Sequence, residues 1–124
     1  MLTPTEVRAL VERYVQMMCD TDVDGILALF AEGATAEDPV GGNVQEGKEA
    51  IHAFYAGAAP ALQVKLAGPV CVAGNACAFP LLATLTMGDT QSYLDATDVF
   101  TFDDQGLITS MKAYWNFDDV RSDP

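Results

Sequence analysis

Basic residues are scarce in this sequence. It has 6 lysines and arginines against 18 aspartates and glutamates, so the formal net charge is −12. A surface of this charge repels phosphate backbones and anionic lipid head groups. We therefore expect neither a nucleic acid nor a membrane among the partners of this protein.

Histidine and closely spaced cysteines, the usual ligands of zinc, are scarce as well. His52 is the single histidine, and the three cysteines, Cys19, Cys71 and Cys77, do not have CxxC spacing, so a zinc site is hard to assemble. The aspartates at positions 20 to 24 lack the spacing and the glycine of a calcium loop. We predict no metal site, and we expect the thiols to be reduced and mostly buried.

Long apolar runs are also absent. No stretch approaches the ~20 apolar residues of a membrane span. The chain begins MLTPTEVRAL, which has neither the basic start nor the apolar block of a signal peptide. We expect the protein to stay in the cytoplasm.

The length and composition fit one globular domain. The chain has 124 residues, of which 50% are hydrophobic and 19% are charged. Domains commonly have ~100–150 residues, so this chain is too short to form a second hydrophobic core. We predict a single domain over residues 1–124, with residues 118–124 as a loose acidic tail.

The first half of the chain predicts three helices. A Thr-Pro-Thr-Glu capping box at positions 3–6 has proline at the first helical position, and apolar residues then recur at helical spacing. This pattern predicts a helix over residues 4–19. Shorter patterns of the same period predict helices over residues 22–30 and 48–59.

The rest of the chain predicts strands. Residues 34–40 are expected to be extended, because Pro39 disfavours the helical conformation at Asp38, and two glycines then turn the chain. From Leu62 onward apolar and polar residues alternate, which is typical of strands. The predicted strands cover residues 62–66, 69–73, 76–87, 91–102 and 107–117, with turns at 74–75, 88–89 and 103–106.

This order of elements predicts an α+β fold. Three N-terminal helices cover one face of a curved, mostly antiparallel sheet, and the concave face of that sheet forms a pocket. Functional residues are then expected among polar side chains whose periodicity turns them inward, because a buried polar group is costly unless it is used or satisfied.

Tyr14 is the first polar residue of this kind. It lies in the middle of the apolar stripe of the first helix, so its hydroxyl points into the core and needs a partner. Tyr55, on the inner face of the third helix, is the expected partner. The alternative is that both are ordinary core tyrosines.

Asp98 is the only carboxyl on the inward face of its predicted strand. Leu94, Ala96 and Phe100 share that face, whereas Asp95 points the other way. Desolvation at such a position raises the pKa of a carboxyl and favours the neutral acid, which donates a hydrogen bond. The alternative is a hydrogen-bonded carboxylate at a sheet edge or at a dimer contact.

Asp38 is the third inward-facing polar residue. It has the same parity as Ala34, Ala36 and Val40 in its extended segment, whereas Glu37 points the other way. We therefore expect Asp38 to face the pocket. The alternative is a plain turn, because Asp-Pro pairs commonly begin turns.

Other residues give weaker signals. Met111, Ala113 and Trp115 share one strand face, and they either line a pocket wall or belong to the core. His52 lies beside the apolar face of the third helix, where a solvated side chain is the simpler interpretation.

One base and two neutral donors around an apolar cavity suit the abstraction of a proton next to a ketone. The obstacle in that reaction is the negative charge that develops on the ketone oxygen, and hydrogen-bond donors stabilise this charge. Since one carboxylate can take up and return the proton, we expect no metal and no organic cofactor.

Six segments of the chain carry a family resemblance. They are Arg13-Tyr14-Val15, Leu29-Phe30-Ala31, residues 36–41 (AEDPVG), residues 47–55 (GKEAIHAFY), residues 97–100 (TDVF) and residues 111–115 (MKAYW). Together they resemble the bacterial Δ5-3-ketosteroid isomerases, which adopt the cone-shaped nuclear-transport-factor-2-like fold. The resemblance runs over nearly the whole chain.

The resemblance implies an isomerase that acts on a small, apolar steroid. Carried over by position, it makes Asp38 the base that moves a proton from C4 to C6, and it makes Tyr14 and a protonated Asp98 the donors to the dienolate oxygen. These roles, and the neutral state of the donor acid, are known features of that family. The resemblance further implies that Tyr55 hydrogen-bonds Tyr14, that Trp115 lies near the base, and that the protein is a homodimer built on its sheet.

Phe30 departs from the pattern of some family members. They carry a third hydrogen-bonded tyrosine at this position, so the chain of hydroxyl groups is expected to be shorter here. The residues expected to bind or support the substrate are Phe30, Val40, Phe54, Tyr55, Phe100, Met111 and Trp115.

Two other functions are open to this sequence. Because the fold hosts many activities, the pocket could belong to a non-catalytic binder of steroid-like or other apolar ligands. It could also serve a polyketide-cyclase-like or dehydratase-like enzyme. Dehydratases of this kind use a catalytic histidine, and His52 is poorly placed for that role.

Overall fold

The computed structural model describes residues 1–124 as three α-helices, seven strands and two 3-10 turns. The helices are α1 (Pro4–Cys19), α2 (Val23–Leu27) and α3 (Lys48–Ala58), and the 3-10 turns are Ala59–Ala61 and Phe117–Asp119. The strands are β1 (Phe30–Glu37), β2 (Val44–Glu46), β3 (Leu62–Leu66), β4 (Cys71–Ala73), β5 (Ala76–Met87), β6 (Thr90–Phe102) and β7 (Ile108–Tyr114). None of the helices is long and apolar enough to cross a membrane.

The first helix has the bounds and the cap that the sequence predicts. The Glu6 amide donates to the Thr3 hydroxyl (3.1 Å), and the Thr3 amide donates to the Glu6 carboxylate (2.9 Å). Two amides that would otherwise be unpaired at the start of the helix are thereby satisfied. The buried residues of α1 are Val7, Leu10, Val11, Tyr14 and Met18, which confirms the predicted apolar stripe.

The second helix is shorter than predicted. It ends at Leu27 and not at residue 30, and Phe30 begins β1. The Ile108 amide donates to the Leu29 carbonyl (2.8 Å), and Phe30 pairs with Ile108 across the sheet. Pairing with a distant strand therefore outweighs the local helical pattern.

All seven strands join one sheet in the order β2-β1-β7-β6-β5-β3, and β4 pairs with one end of β5. Neighbouring strands are antiparallel except β1 and β7, which run parallel. The helices cover one face of this open, curved sheet. The predicted α+β architecture is confirmed.

Three strand predictions need correction. The short strand β2, which pairs with β1, was not predicted, since three residues are too few to display an alternating pattern. The strand expected over residues 34–40 spans Phe30–Glu37, so Asp38 lies just past its end. The last strand ends at Tyr114 and not at residue 117.

The C-terminal residues, expected to form a loose acidic tail, are attached to the sheet at Arg121. The Arg121 amide donates to the Tyr93 carbonyl (2.9 Å), and the Tyr93 amide donates to the Arg121 carbonyl (2.8 Å). The Arg121 guanidinium also forms an ion pair with Asp95 (3.0 Å). A single arginine among acidic residues produces no periodic signal, so the sequence does not predict this attachment.

The hydrophobic core fills the space between the helices and the sheet. Its largest fully buried side chains are Tyr55, Phe30, Phe79, Phe100, Ile26, Ile51, Ile108, Met111 and Val11. Asp98 is the only carboxyl group among the buried residues. The three thiols are free, but only Cys77 is buried, and Cys71 is exposed on β4, contrary to expectation.

Candidate active site

An apolar cavity of about 300 Å³ lies between the helices and the inner face of the sheet. Of its 18 lining residues, 15 are hydrophobic. The other three are Gly57 and the two carboxyl groups Asp38 and Asp98; no lysine, arginine or histidine lines the cavity. A cavity of this kind suits a small, largely apolar ligand that is oriented by a few polar groups.

Tyr14 enters the cavity wall from α1 and meets Tyr55 from α3. Both side chains are buried, and their hydroxyl oxygens lie 2.8 Å apart. If Tyr55 donates to Tyr14, the Tyr14 proton is free to point into the cavity. Burial raises the pKa of both phenols well above the usual value, so both hydroxyls remain protonated at neutral pH.

Packing holds the Tyr14 ring in place. The Phe100 ring meets it edge-on, with ring centroids 5.0 Å apart, and the Phe79 ring meets it at 6.3 Å. The Phe30 ring lies 6.1 Å from the Tyr55 ring and carries no hydrogen-bonding group. The chain of hydroxyl groups therefore ends at Tyr55.

Asp98 enters the cavity from β6 and is only 5% exposed. It lies between Phe79 on β5 and Ala113 on β7, and its carboxyl group makes no hydrogen bond to another group of the protein. The pKa of Asp98 is raised well above the usual range of a carboxyl. Burial is the larger cause, and the negative charge of Asp38 is the smaller one. These surroundings favour the neutral acid, whose proton is available to a ligand in the cavity.

Asp38 lies just past the end of β1, with its side chain in the cavity wall. The indole Nε1 of Trp115 donates to Oδ1 of Asp38 at 2.5 Å. Burial raises the pKa of Asp38, and the hydrogen bond from Trp115 opposes that rise. Since the pKa of Asp98 is raised further, the two carboxyls can hold different protonation states at the same pH.

The sheet register puts these two carboxyls on either side of Ala113. Glu37 on β1 pairs with Lys112 on β7, so Asp38 lies beside Ala113, and Ala113 pairs in turn with Asp98 on β6. Two strand spacings, about 10 Å, therefore separate the backbones of Asp38 and Asp98. Ala113 also lines the cavity, so only a methyl group projects from the strand between the two carboxyls.

Four of the predicted supporting residues do not line the cavity. Phe30, Phe100 and Met111 are fully buried in the core behind its wall. Val40 is 38% exposed and lies outside, because the chain bends at residues 38–39 and the alternation of the strand does not continue to residue 40. The predicted residues that do line the cavity are Tyr14, Asp38, Phe54, Tyr55, Asp98 and Trp115.

Much of the remaining wall was not predicted. Leu81 and Ala83 on β5 line the cavity. Their alternation with residues on the other face of the strand was a signal that could have identified them. Met18 lies one helical turn after Tyr14 on α1. The other unpredicted residues of the wall are Gly57, Ala58, Ala61, Leu62, Val64, Leu85, Leu94 and Ala96, whereas Ala113 shares the strand face of Trp115 that was expected to line either a pocket or the core.

His52 lies outside the cavity. Its Nε2 atom is 3.5 Å from Oδ1 of Asp24, and both side chains are exposed. It therefore does not occupy the position of a catalytic histidine in this site.

Three comparisons relate the chain to known proteins. A family model described as "SnoaL-like domain" matches residues 11–111. A curated protein of Nocardioides simplex named steroid Delta-isomerase is 42% identical over 111 residues, which is 89% of this chain and 89% of that protein. A solved structure of SalBIII superposes with a TM-score of 0.89 at 30% identity, covering 98% of this chain and 99% of that one. SalBIII is described as an epoxide hydrolase/cyclase-like enzyme with a role in pyran ring formation in the polyether salinomycin.

Proposed function

The chain belongs to the SnoaL-like family, and on that premise we propose that it is a steroid Δ-isomerase, which converts 3-oxo-Δ5-steroids into 3-oxo-Δ4-steroids without a cofactor. One observation carries the proposal. Asp38, hydrogen-bonded by Trp115, lines the same apolar cavity as the Tyr14 side chain and the buried Asp98 carboxyl, which lies on the strand beside Ala113. The similarity to the Nocardioides simplex protein supports the same reaction class.

In this proposal Asp38 begins the reaction as the base. Its carboxylate takes a proton from C4 of the steroid, the electrons of the C4–H bond form a C3=C4 double bond, and the negative charge moves to the oxygen on C3. Hydrogen bonds from Tyr14 and from neutral Asp98 stabilise that charge. Their effect is larger in an apolar cavity than in water, because the low dielectric strengthens each charge–dipole contact.

The same carboxyl completes the reaction. Protonated Asp38 gives its proton to C6, where the electrons of the C5=C6 double bond form the new C–H bond. The electrons of C3=C4 form C4=C5, and a lone pair of the oxygen restores the ketone at C3. One carboxyl can serve both steps because C4 and C6 are bonded to the same carbon, C5. Proton and electrons therefore balance within the substrate and Asp38.

A single assay tests this function. The purified protein is mixed with a Δ5-3-ketosteroid, and the ultraviolet absorbance of the conjugated enone product is followed over time. We expect the absorbance to rise in proportion to protein concentration. A steroid that binds but is not converted would contradict the isomerase proposal and favour a non-catalytic binding protein.

Binding of a phenolic steroid distinguishes an oxyanion site from a passive apolar pocket. A phenolic ring resembles the dienolate, so it should bind more tightly than an equally apolar steroid with no oxygen at that end. Two hydrogen bonds, from Tyr14 and Asp98, predict a difference of roughly 10- to 30-fold in Kd. Titration calorimetry measures both affinities, and equal values would point to a simple binder.

The similarity to SalBIII favours one alternative chemistry. In a cyclase-like reaction, neutral Asp98 would protonate an epoxide oxygen while the Asp38 carboxylate takes the proton of an attacking hydroxyl. The same two carboxyls would then act as an acid and base pair. Conversion of a hydroxy-epoxide to a cyclic ether, with no conversion of the ketosteroid, would support this alternative.

We also propose that the protein is a homodimer that pairs through the face of the sheet opposite the helices. On β5, Ala78, Pro80 and Leu82 alternate with the inward residues and are only half-buried, and Val99 on β6 shares this face. We expect light scattering to give about twice the chain mass of 13.2 kDa. Leu82→Arg should give a folded monomer; a monomeric wild type would contradict the proposal.

A further inference from the structure

The segment that follows β7 is fixed at both ends, and the chemistry proposed above uses only its first residue, Trp115. Residues 115–121, called the C-terminal strap below, leave β7 at Trp115 and reach β6 again at Arg121. Between these points the Asn116 side chain accepts from the Asp118 amide (3.0 Å) and caps the 3-10 turn. The strap is therefore an ordered connection and not a free tail.

At its first end the strap holds Trp115 in the cavity wall. The Trp115 indole donates to Asp38, and the Phe117 ring meets it edge-on with centroids 4.7 Å apart. Phe117 is 72% exposed, and Trp115 is its only aromatic neighbour. An apolar ring left this exposed gains little from burial, so its edge-on contact with the indole is the interaction that the structure shows for it.

At its second end the strap is held by Arg121. A closed pair of backbone hydrogen bonds joins it to Tyr93, and its guanidinium donates to both carboxylate oxygens of Asp95, at 3.0 and 3.4 Å. This is the only ion pair that any of the 6 lysines and arginines makes in the protein. Bidentate contacts of this kind fix the orientation of the two side chains as well as the distance between them.

We propose that Arg121 is a positioning residue for the base: by anchoring the strap to β6, it keeps the Trp115 indole against the Asp38 carboxylate. This inference rests on the proposed role of Asp38. Without the guanidinium, only the two backbone hydrogen bonds to Tyr93 hold this end of the strap, so the strap gains conformational freedom and Trp115 leaves Asp38 for part of the time. Asp38 then loses the hydrogen bond that opposes the rise of its pKa.

The predicted effect is a shift in the acidic limb of the pH profile. In Arg121→Ala, the acidic limb of kcat/KM should move to higher pH by about 0.2 to 0.7 units. The shift is small because the ion pair that is lost is exposed and therefore weak. The other titratable groups that face Asp38 in the cavity are Asp98, Tyr14 and Tyr55. All three are protonated in this range, so the limb reports Asp38.

Two controls separate positioning from a general effect of charge. Lys112→Ala removes a positive charge from an exposed residue of β7 that makes no ion pair, and it should leave the limb in place. Combining Asp95→Arg with Arg121→Asp restores the pair with reversed polarity and should restore the wild-type limb. In a Trp115→Phe background, Arg121→Ala should cause no further shift, because the donor is already gone.

A fluorescence measurement tests the strap independently of the isomerase function. Trp115 is the only tryptophan in the chain, so the intrinsic emission reports it directly. Arg121→Ala should shift the emission to longer wavelength and increase quenching by acrylamide, while Lys112→Ala should not. An inactive wild type would overturn the proposed function and leave this test intact. Emission and quenching equal to wild type in Arg121→Ala, or a pH shift that persists in Trp115→Phe, would overturn the strap proposal.

Discussion

Replacing Asp38 with asparagine should abolish most of the isomerisation while leaving steroid binding nearly unchanged. The amide has the shape of the carboxylate and still accepts the hydrogen bond from the Trp115 indole, but it cannot take the proton from C4. Loss of a general base typically costs ~10²–10⁴-fold in rate. Enone absorbance measures kcat, and calorimetry with a phenolic steroid measures binding by the same variant.

The pH dependence of the wild type checks the same assignment. A base works only when ionised, so kcat/KM should fall as the pH drops through the pKa of Asp38. Because burial raises that pKa, the limb should lie above the pH at which ordinary aspartates titrate, near 4. Near wild-type turnover in Asp38→Asn, or the same acidic limb in that variant, would mean that another group is the base.

Replacing Asp98 with alanine should lower kcat by ~10²–10³-fold, the usual effect of losing one oxyanion donor, and Tyr14→Phe should be comparable. Asparagine also donates a hydrogen bond and carries no charge, so Asp98→Asn should be tolerated better than Asp98→Ala. The measurement is kcat at neutral pH for variants whose far-ultraviolet circular dichroism matches wild type. If Asp98→Asn lowers kcat as much as Asp98→Ala does, the proposal that neutral Asp98 donates a hydrogen bond is wrong.

The raised pKa of Asp98 predicts two effects of pH. In the folded protein, raising the pH through that pKa converts a donor into a charge that repels the developing oxyanion, so kcat should fall on the alkaline side. In the unfolded chain Asp98 ionises near pH 4, so its burial reduces stability as the pH rises from there towards the folded pKa. Asp98→Asn should therefore be more stable than wild type at neutral pH, with a smaller difference below pH about 4.

Local patterns in the sequence were sufficient for those parts of the structure that depend on neighbouring residues. The capping box at residues 3–6 and the apolar period of α1 predicted both the helix and the inward direction of Tyr14. The two-residue period of β6 predicted the burial of Asp98. Because such side-chain directions follow from backbone geometry within one element, they can be read without knowledge of the fold.

The family resemblance predicted contacts between pairs of residues as well as the directions of single side chains. It implied the contacts of Tyr55 with Tyr14 and of Trp115 with Asp38, and both contacts are present. Periodicity alone left both tyrosines open to a plain core role, because it fixes a direction and not a partner. The alternation of the strand did not predict the position of Val40 correctly, since the backbone bends at residues 38–39 and the alternation stops there.

Only the tertiary structure decided how separate segments meet. The parallel pairing of β1 with β7 puts Asp38 beside Ala113 and across from Asp98, and the same pairing turns Phe30 from a helical residue into a strand residue. The attachment of Arg121 to Tyr93 and Asp95 likewise joins residues 28 and 26 positions apart. Contacts of this kind depend on register and packing summed over the whole sheet, and no local window of the sequence contains that information.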